Sequence, residues 1–277
     1  MSEDPPAAVL QLISEADRIL AESAVRGLAL RLAGSVGVLQ HCQRCCAGVA
    51  ALGRELPRDL DFFAYRKQQR ELGRMFADLG YAADPSVAFS QEYGIDRLIY
   101  VGHAAATKID VFLDVLRMSH TIEFKGRLGG VGPAAPAAEL LLSKLQIHEI
   151  TEKDVKDIGA LLAAHPFDGA GGARAEGGGG QLDVEHVLGL TGRDWGLFHT
   201  ATTNLGLAGE LLAGWHFAGD VAASGAARAA ELRERIEQAP KSLRWKARAR
   251  VGTRARWYED VGDAEQQGQG DAGLRER

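Results

Sequence analysis

The sequence predicts an α+β fold in which a short mixed sheet is flanked by helices and followed by a helical C-terminal region. Three observations lead there. Short apolar runs of strand length alternate with amphipathic helical stretches through residues 1–168, a glycine-rich segment interrupts the chain at 169–181, and helical periodicity alone continues over 182–260. The polar, glycine-containing end, residues 261–277, has the composition of a disordered tail.

With 277 residues, 46% of them hydrophobic, the chain can bury a substantial core. A formal charge of only −5 excludes a protein that grips nucleic acid with its whole surface, so any such contact must use a local patch. The opening Met1-Ser2-Glu3-Asp4-Pro5-Pro6 has neither the basic start nor the apolar core of a signal peptide. Later apolar stretches are broken by charges before they reach membrane-spanning length, so a cytoplasmic protein with no membrane partner is expected. The three cysteines, Cys42, Cys45 and Cys46, are odd in number and crowded together beside His41, which suits small packing residues better than disulfides or a metal site.

Residues 7–25 place Leu10, Ile13, Ile19 and Leu20 at near-helical spacing, which predicts an amphipathic opening helix. Residues 28–33 read as a buried strand ending in Gly34-Ser35, with a helix starting over 36–40. The aromatic run Asp59-Leu60-Asp61-Phe62-Phe63-Ala64-Tyr65 predicts a strand, and residues 67–79 a helix stopped by Gly80. Residues 97–101 and 108–113 predict antiparallel neighbours joined by a loop over 102–107. After Pro136 come two helices: one over 137–150 with the apolar positions Leu141, Leu142, Leu145 and Ile147, and one over 152–164 opened by Thr151 and Asp154. Residues 183–190, 195–215 and 222–238 predict three more.

Side chains alternate along a strand, so Asp59 and Asp61 project to one side while Leu60 and Phe62 point to the other. Asp110 interrupts the strand-like Lys108-Ile109-Asp110-Val111-Phe112, where an apolar residue is usual. Three gathered carboxylates repel one another and lose hydration, a penalty that a divalent cation removes. Oxygen-only ligands suit Mg²⁺ or Mn²⁺, ions that bind a nucleoside triphosphate and polarise its α-phosphate. Gly34 and Ser35 supply a phosphate cradle, because glycine permits close backbone approach and the following helix start offers N–H groups and a favourable dipole. Either motif alone is weak; their combination, each at the edge of a strand-like run, is the signal.

Leu32-Ala33-Gly34-Ser35, Asp59-Leu60-Asp61-Phe62 and Lys108-Ile109-Asp110-Val111-Phe112 together resemble the hallmark of the polymerase-beta-type nucleotidyltransferase superfamily, with its toxin-like and antibiotic-modifying members, over residues 28–162. The resemblance implies a nucleotidyltransferase that moves a nucleoside monophosphate from a triphosphate to an acceptor hydroxyl. It implies that Asp59, Asp61 and Asp110 hold two Mg²⁺, that Asp110 assists deprotonation of the acceptor, and that Gly34 and Ser35 hold the triphosphate. The segments Glu139-Leu140-Leu141-Leu142-Ser143-Lys144-Leu145 and Lys153-Asp154-Val155-Lys156-Asp157-Ile158 are similar to the part of toxin-like members that places a lysine on the triphosphate and an acid near it, here Lys144 and Asp157. The stretch from Ser35 to Asp59 is longer than the family usually has and holds the cysteines.

A basic, aromatic segment over 241–258 offers Arg244, Arg248, Arg250 and Arg254 to a nucleic-acid backbone, which would suit a tRNA acceptor; a helix with its aromatics docked on the protein is the plainer reading. His103, His120, His148, His165, His186, His199 and His216 show no metal-ligand spacing and most are expected at the surface or as caps, and Trp195, Phe198, Trp215 and Phe217 are expected to pack. Two other classes remain open: a nucleotide-binding module of the same fold without turnover, and an RNA-binding protein working through 241–258. Neither the acceptor, the base of the triphosphate nor the oligomeric state follows from these residues.

Overall fold

The alternation in Leu60-Asp61-Phe62-Phe63-Ala64 sets the architecture, since it gives one strand two buried faces of different chemistry. The computed structural model describes residues 7–42, 52–53, 57–84, 96–102, 108–129, 132–165, 167 and 181–259. Five strands form a mixed sheet: β1 (Leu30–Leu32), β2 (Leu60–Ala64), β3 (Tyr81–Ala83), β4 (Arg97–Gly102) and β5 (Lys108–Leu113), in the order β1-β2-β5-β4-β3. Only β2 and β5 are parallel; the other neighbours are antiparallel, including the expected β4 and β5 pair. A two-stranded ribbon, β6 (Val115–Arg117) with β7 (Thr121–Glu123), follows β5.

On one face of the sheet Leu60, Phe62, Ala64, Ile109, Val111 and Leu113 are buried beneath α1 (Ala7–Val25) and α3 (Gln69–Asp78). In α1 the buried stripe is Val9, Leu12, Ala16 and Ile19, spaced at three and four residues as one helical face requires. The expectation for Leu10 is corrected: it is half exposed, because a helix this size buries only the stripe that meets the sheet.

The opposite face of β2 and β5 presents Asp61, Phe63, Asp110 and Phe112 to α2 (Gly34–His41), to α4 (Ala137–Leu145) and to the ribbon. Beside α4 runs α5 (Glu152–Ala164), whose N-terminus carries the capping box expected from Thr151 and Asp154. The helices α6 (Val184–Thr191), α7 (Trp195–Gly214) and α8 (Gly219–Gln238) complete this layer, and α9 (Leu243–Ala249) lies against α7.

One apolar cluster unites Phe63 of the sheet, Leu141 of α4, Leu161 of α5, Leu205 of α7 and Leu232 of α8. The hydrophobic layer therefore runs across the glycine-rich boundary at 169–181, of which residues 169–180 lie outside the described residues, as does the tail 261–277. Polar ties cross the same boundary. Asn204 Nδ2 donates to the carbonyls of Leu145 at 3.0 Å and Ile147 at 2.7 Å. Arg228 donates to Leu162 at 2.6 Å and Ala163 at 3.0 Å, placing a cation where α5 leaves its last carbonyls. Arg127 bridges the buried Glu139 of α4 to Asp183 at the start of α6, the latter at 2.8 Å.

Candidate active site

The parallel pairing of β2 with β5 sets Asp61 directly beside Asp110. Side chains at paired positions of neighbouring strands point the same way, so both acids face the layer occupied by α2 and α4. Asp59, two residues before Asp61, projects to the same side. The three acids line one cavity of about 380 Å³ with Gly34, Arg97 and Lys144. Phe63, Phe112, Leu116, Met118 and Ile147 form its apolar wall.

Gly34 opens α2 against the acids. Its φ of +52° is a left-handed conformation that only glycine adopts cheaply, and a Cβ built there would lie 2.8 Å from the Asp61 carboxyl carbon, with an Asp61 oxygen closer still. The backbone at the start of α2 can approach Asp61 because no side chain intervenes. The amide of Ala33 donates to the Asp61 carbonyl at 2.8 Å and fixes this approach. Ser35 is buried and is not among the residues that line the cavity.

The acids are unequally compensated. Asp110, 2% exposed, is forked by Arg97, whose Nε donates to Oδ1 at 3.1 Å and whose Nη2 lies 2.9 Å from Oδ2; Lys108 Nζ adds a contact to Oδ2 at 3.2 Å. Among the described residues no hydrogen bond or ion pair reaches the carboxylate of Asp59 or Asp61. Burial, followed by the charges of Asp59 and Asp110, pushes the Asp61 pKa up to about 7; Lys144 and Arg97 oppose this without cancelling it.

Lys144 reaches the cavity from α4, held by Asp154 and Asp157 of α5 at 3.0 Å each. Burial works against its charge, yet Asp157 and Asp154 together keep its pKa raised. It is thus a positioned cation, and Asp157, fully buried, stands behind it outside the cavity lining. Arg97, Lys108 and Asp154 were not singled out as site residues in the sequence, Asp154 being read there only as part of a helix start. Lys108 had a readable signal, since Lys108-Ile109-Asp110 puts lysine and acid on one strand face; Arg97 had none, because its reach to Asp110 depends on the β4 and β5 register.

Among the described residues no group of three or more His, Cys, Asp or Glu is gathered closely enough to enclose an ion, and Asp110 is turned to its two cations. Asp59 and Asp61 nonetheless fit a hard cation: their oxygens have no hydrogen-bond or ion-pair partner among the described residues, and burial together with the neighbouring acids makes the charged form of Asp61 costly in the absence of a metal.

None of Arg244, Arg248, Arg250 and Arg254 is among the residues that line this cavity. Arg248 donates to the carbonyls of Gly252 at 2.7 Å and Ala255 at 2.9 Å and covers the Trp195 ring, while Arg254 donates to Val251 at 3.1 Å and to Arg250. Arg244 and Arg250 are exposed. Trp245 packs edge-on against Phe198, and Tyr258 stacks on His148, so the aromatics dock on the protein.

His165 takes the C-cap position of α5, a capping place as expected, and is buried there against His41 at 3.1 Å; His120 is an exception to the superficial majority, buried where it meets Thr200 Oγ1 at 2.9 Å. Phe217 is 68% exposed, since the three-residue turn joining α7 and α8 swings it outward, whereas Trp195, Phe198 and Trp215 pack. Cys42 is buried in the apolar layer; Cys45, Cys46 and His103 lie outside the described residues. No helix among the described residues is long and apolar enough to cross a membrane. Compared with known proteins, the chain matches no family model and no curated protein.

Proposed function

We propose that this chain is a nucleotidyltransferase of the polymerase-beta type, using Mg²⁺ or Mn²⁺ to move a nucleoside monophosphate from a nucleoside triphosphate onto an acceptor hydroxyl. The observation that supports this best is the register of β2 against β5, which brings Asp61 alongside Asp110 with Asp59 on the same side and the Gly34 backbone pressed against them.

Asp59 and Asp61 would hold the cation, joined by Asp110. When bound, the metal supplies Lewis-acid activation of the α-phosphate and lowers the pKa of the attacking hydroxyl. The free N–H groups at the start of α2, beginning at Gly34, meet phosphate oxygens, with Ser35 buried behind them. Lys144, fixed by Asp154 and Asp157, places a positive charge where the β- and γ-phosphates gather negative charge as they leave. The acceptor oxygen bonds to the α-phosphorus, the bond from the α-phosphorus to its bridging oxygen breaks, and pyrophosphate departs. The hydroxyl proton passes to a carboxylate of the cluster, for which Asp110 is placed on the adjoining strand. The apolar wall of Phe112, Leu116 and Met118 suits a base or an acceptor of mixed polarity. A small molecule, a protein side chain and a tRNA end are all acceptors of the right chemistry, and exposed Arg244 and Arg250 would favour the last.

The contacts of Arg97 and Lys108 with Asp110 favour a second reading, a nucleotide-binding module without turnover. Transfer of label from α-phosphate-labelled triphosphates in Mg²⁺, using cell-extract RNA, protein and small-molecule fractions as acceptors, separates the two. The enzyme reading expects transfer by the wild type and loss of at least about a hundredfold in Asp61→Asn. Transfer that survives Asp61→Asn unchanged defeats the three-acid assignment, and binding of triphosphate with no transfer to any fraction favours the inactive module.

A further inference from the structure

Within one cavity, Asp110 has two cations, while among the described residues no hydrogen bond or ion pair reaches the carboxylates of Asp59 and Asp61. Arg97 grips Asp110 through two nitrogens at 3.1 and 2.9 Å, and its guanidinium also lies over the Phe112 ring, 5.3 Å from the centroid. Lys108 adds its ammonium at 3.2 Å and is itself about half exposed. Both are long, flexible side chains anchored on the strands that form the floor of the cavity, so their heads can turn from the carboxylate toward the cavity without moving the backbone.

We propose that Arg97 and Lys108 form a clasp that occupies Asp110 in the free protein and passes to the phosphates of an incoming nucleoside triphosphate. This rests on the reading of Asp59, Asp61 and Asp110 as the metal-binding acids. A divalent cation entering at Asp59 and Asp61 repels a guanidinium on the adjacent carboxylate, and the triphosphate offers that guanidinium an anion whose oxygens match its planar fork. Asp110 is released to the metal as Arg97 and Lys108 take up phosphate charge. The clasp accounts for three acids that line one cavity without enclosing an ion there. It also orders events, since full metal binding then requires the triphosphate and the free protein holds its cation weakly.

The test measures Mn²⁺ binding by the electron paramagnetic resonance of the free ion, on the full chain, without nucleotide and with a non-hydrolysable α,β-methylene triphosphate. Wild type, Asp61→Asn, Arg97→Gln and the more exposed Lys108→Gln are compared. The expected result is that Arg97→Gln binds Mn²⁺ alone about tenfold more tightly and the triphosphate about tenfold more weakly, with Lys108→Gln changing each in the same direction by less. Mn²⁺ and triphosphate affinities unchanged in both clasp variants, while Asp61→Asn abolishes Mn²⁺ binding, overturn the clasp and leave the metal site standing. Mn²⁺ binding retained in Asp61→Asn overturns the metal-site reading and the clasp with it. Lys108→Gln keeps the test decisive should Arg97→Gln fail to fold.

Discussion

Asp61 is held in the folded protein with a pKa of about 7 against an ordinary 3.8, through burial first and the charges of Asp59 and Asp110 second. The folded state therefore keeps this proton at pH values where the unfolded chain has released it. Its contribution to stability is complete below about pH 4 and is lost as pH rises toward 7. Urea denaturation of the metal-free protein should show this decline, and Asp61→Asn, neutral at every pH, should flatten it. A decline of equal size in Asp61→Asn would place its origin elsewhere. Gly34→Ala tests the close approach at the same spot: the side chain meets the Asp61 carboxylate and the backbone is left-handed, so a loss of roughly 1–3 kcal/mol is expected together with loss of Mn²⁺ binding. Full Mn²⁺ binding by Gly34→Ala would mean that Asp61 does not need the bare backbone beside it.

At the scale of the element, α5 links folding to the site through its first turn. Asp154 serves the capping box with Thr151 and also holds Lys144 directly, whereas Thr151 reaches Lys144 only through its 2.8 Å bond to Asp154 Oδ2. Thr151→Ala should cost about 1 kcal/mol in thermal or chemical denaturation with only a small change in triphosphate affinity. Asp154→Ala should cost more and also weaken triphosphate binding, because it loosens Lys144; equal effects of the two substitutions would contradict the double role. This helix was readable in the sequence because a cap signal and a 3.6-residue period coincide over one continuous stretch. The same holds for β2 and β5, whose apolar residues alternate with Asp61 and Asp110. The ribbon β6 and β7 and the edge strand β3 were not readable, since three residues are too few to display a period and, unlike the equally short β1, none of them ends in a Gly-Ser turn that marks the end of a strand. The Arg97 fork was hidden for another reason: it depends on which residues of β4 lie opposite β5, and register is a property of pairing, not of either strand alone.

At the scale of the whole molecule, the helices beyond the glycine-rich segment bury Leu205, Leu212 and Leu232 in the same layer as Leu141 and Leu161. Exposing that layer would cost roughly 1.5–3 kcal/mol for each large side chain, so the two portions should not part when the chain between them is cut. A protease site inserted within residues 169–180 should give two fragments that elute together under native conditions; fragments that separate and remain folded would show two independent domains. The layer also fixes α4 over the sheet, and through it the position of Lys144 opposite the acids. The most direct test of that arrangement is anomalous diffraction from crystals grown with Mn²⁺ and an α,β-methylene triphosphate. The expected result is a Mn²⁺ peak in direct contact with oxygens of Asp59 and Asp61, with the phosphates running from the start of α2 toward Lys144. A triphosphate bound elsewhere, or Mn²⁺ peaks that avoid these two carboxylates, would contradict it.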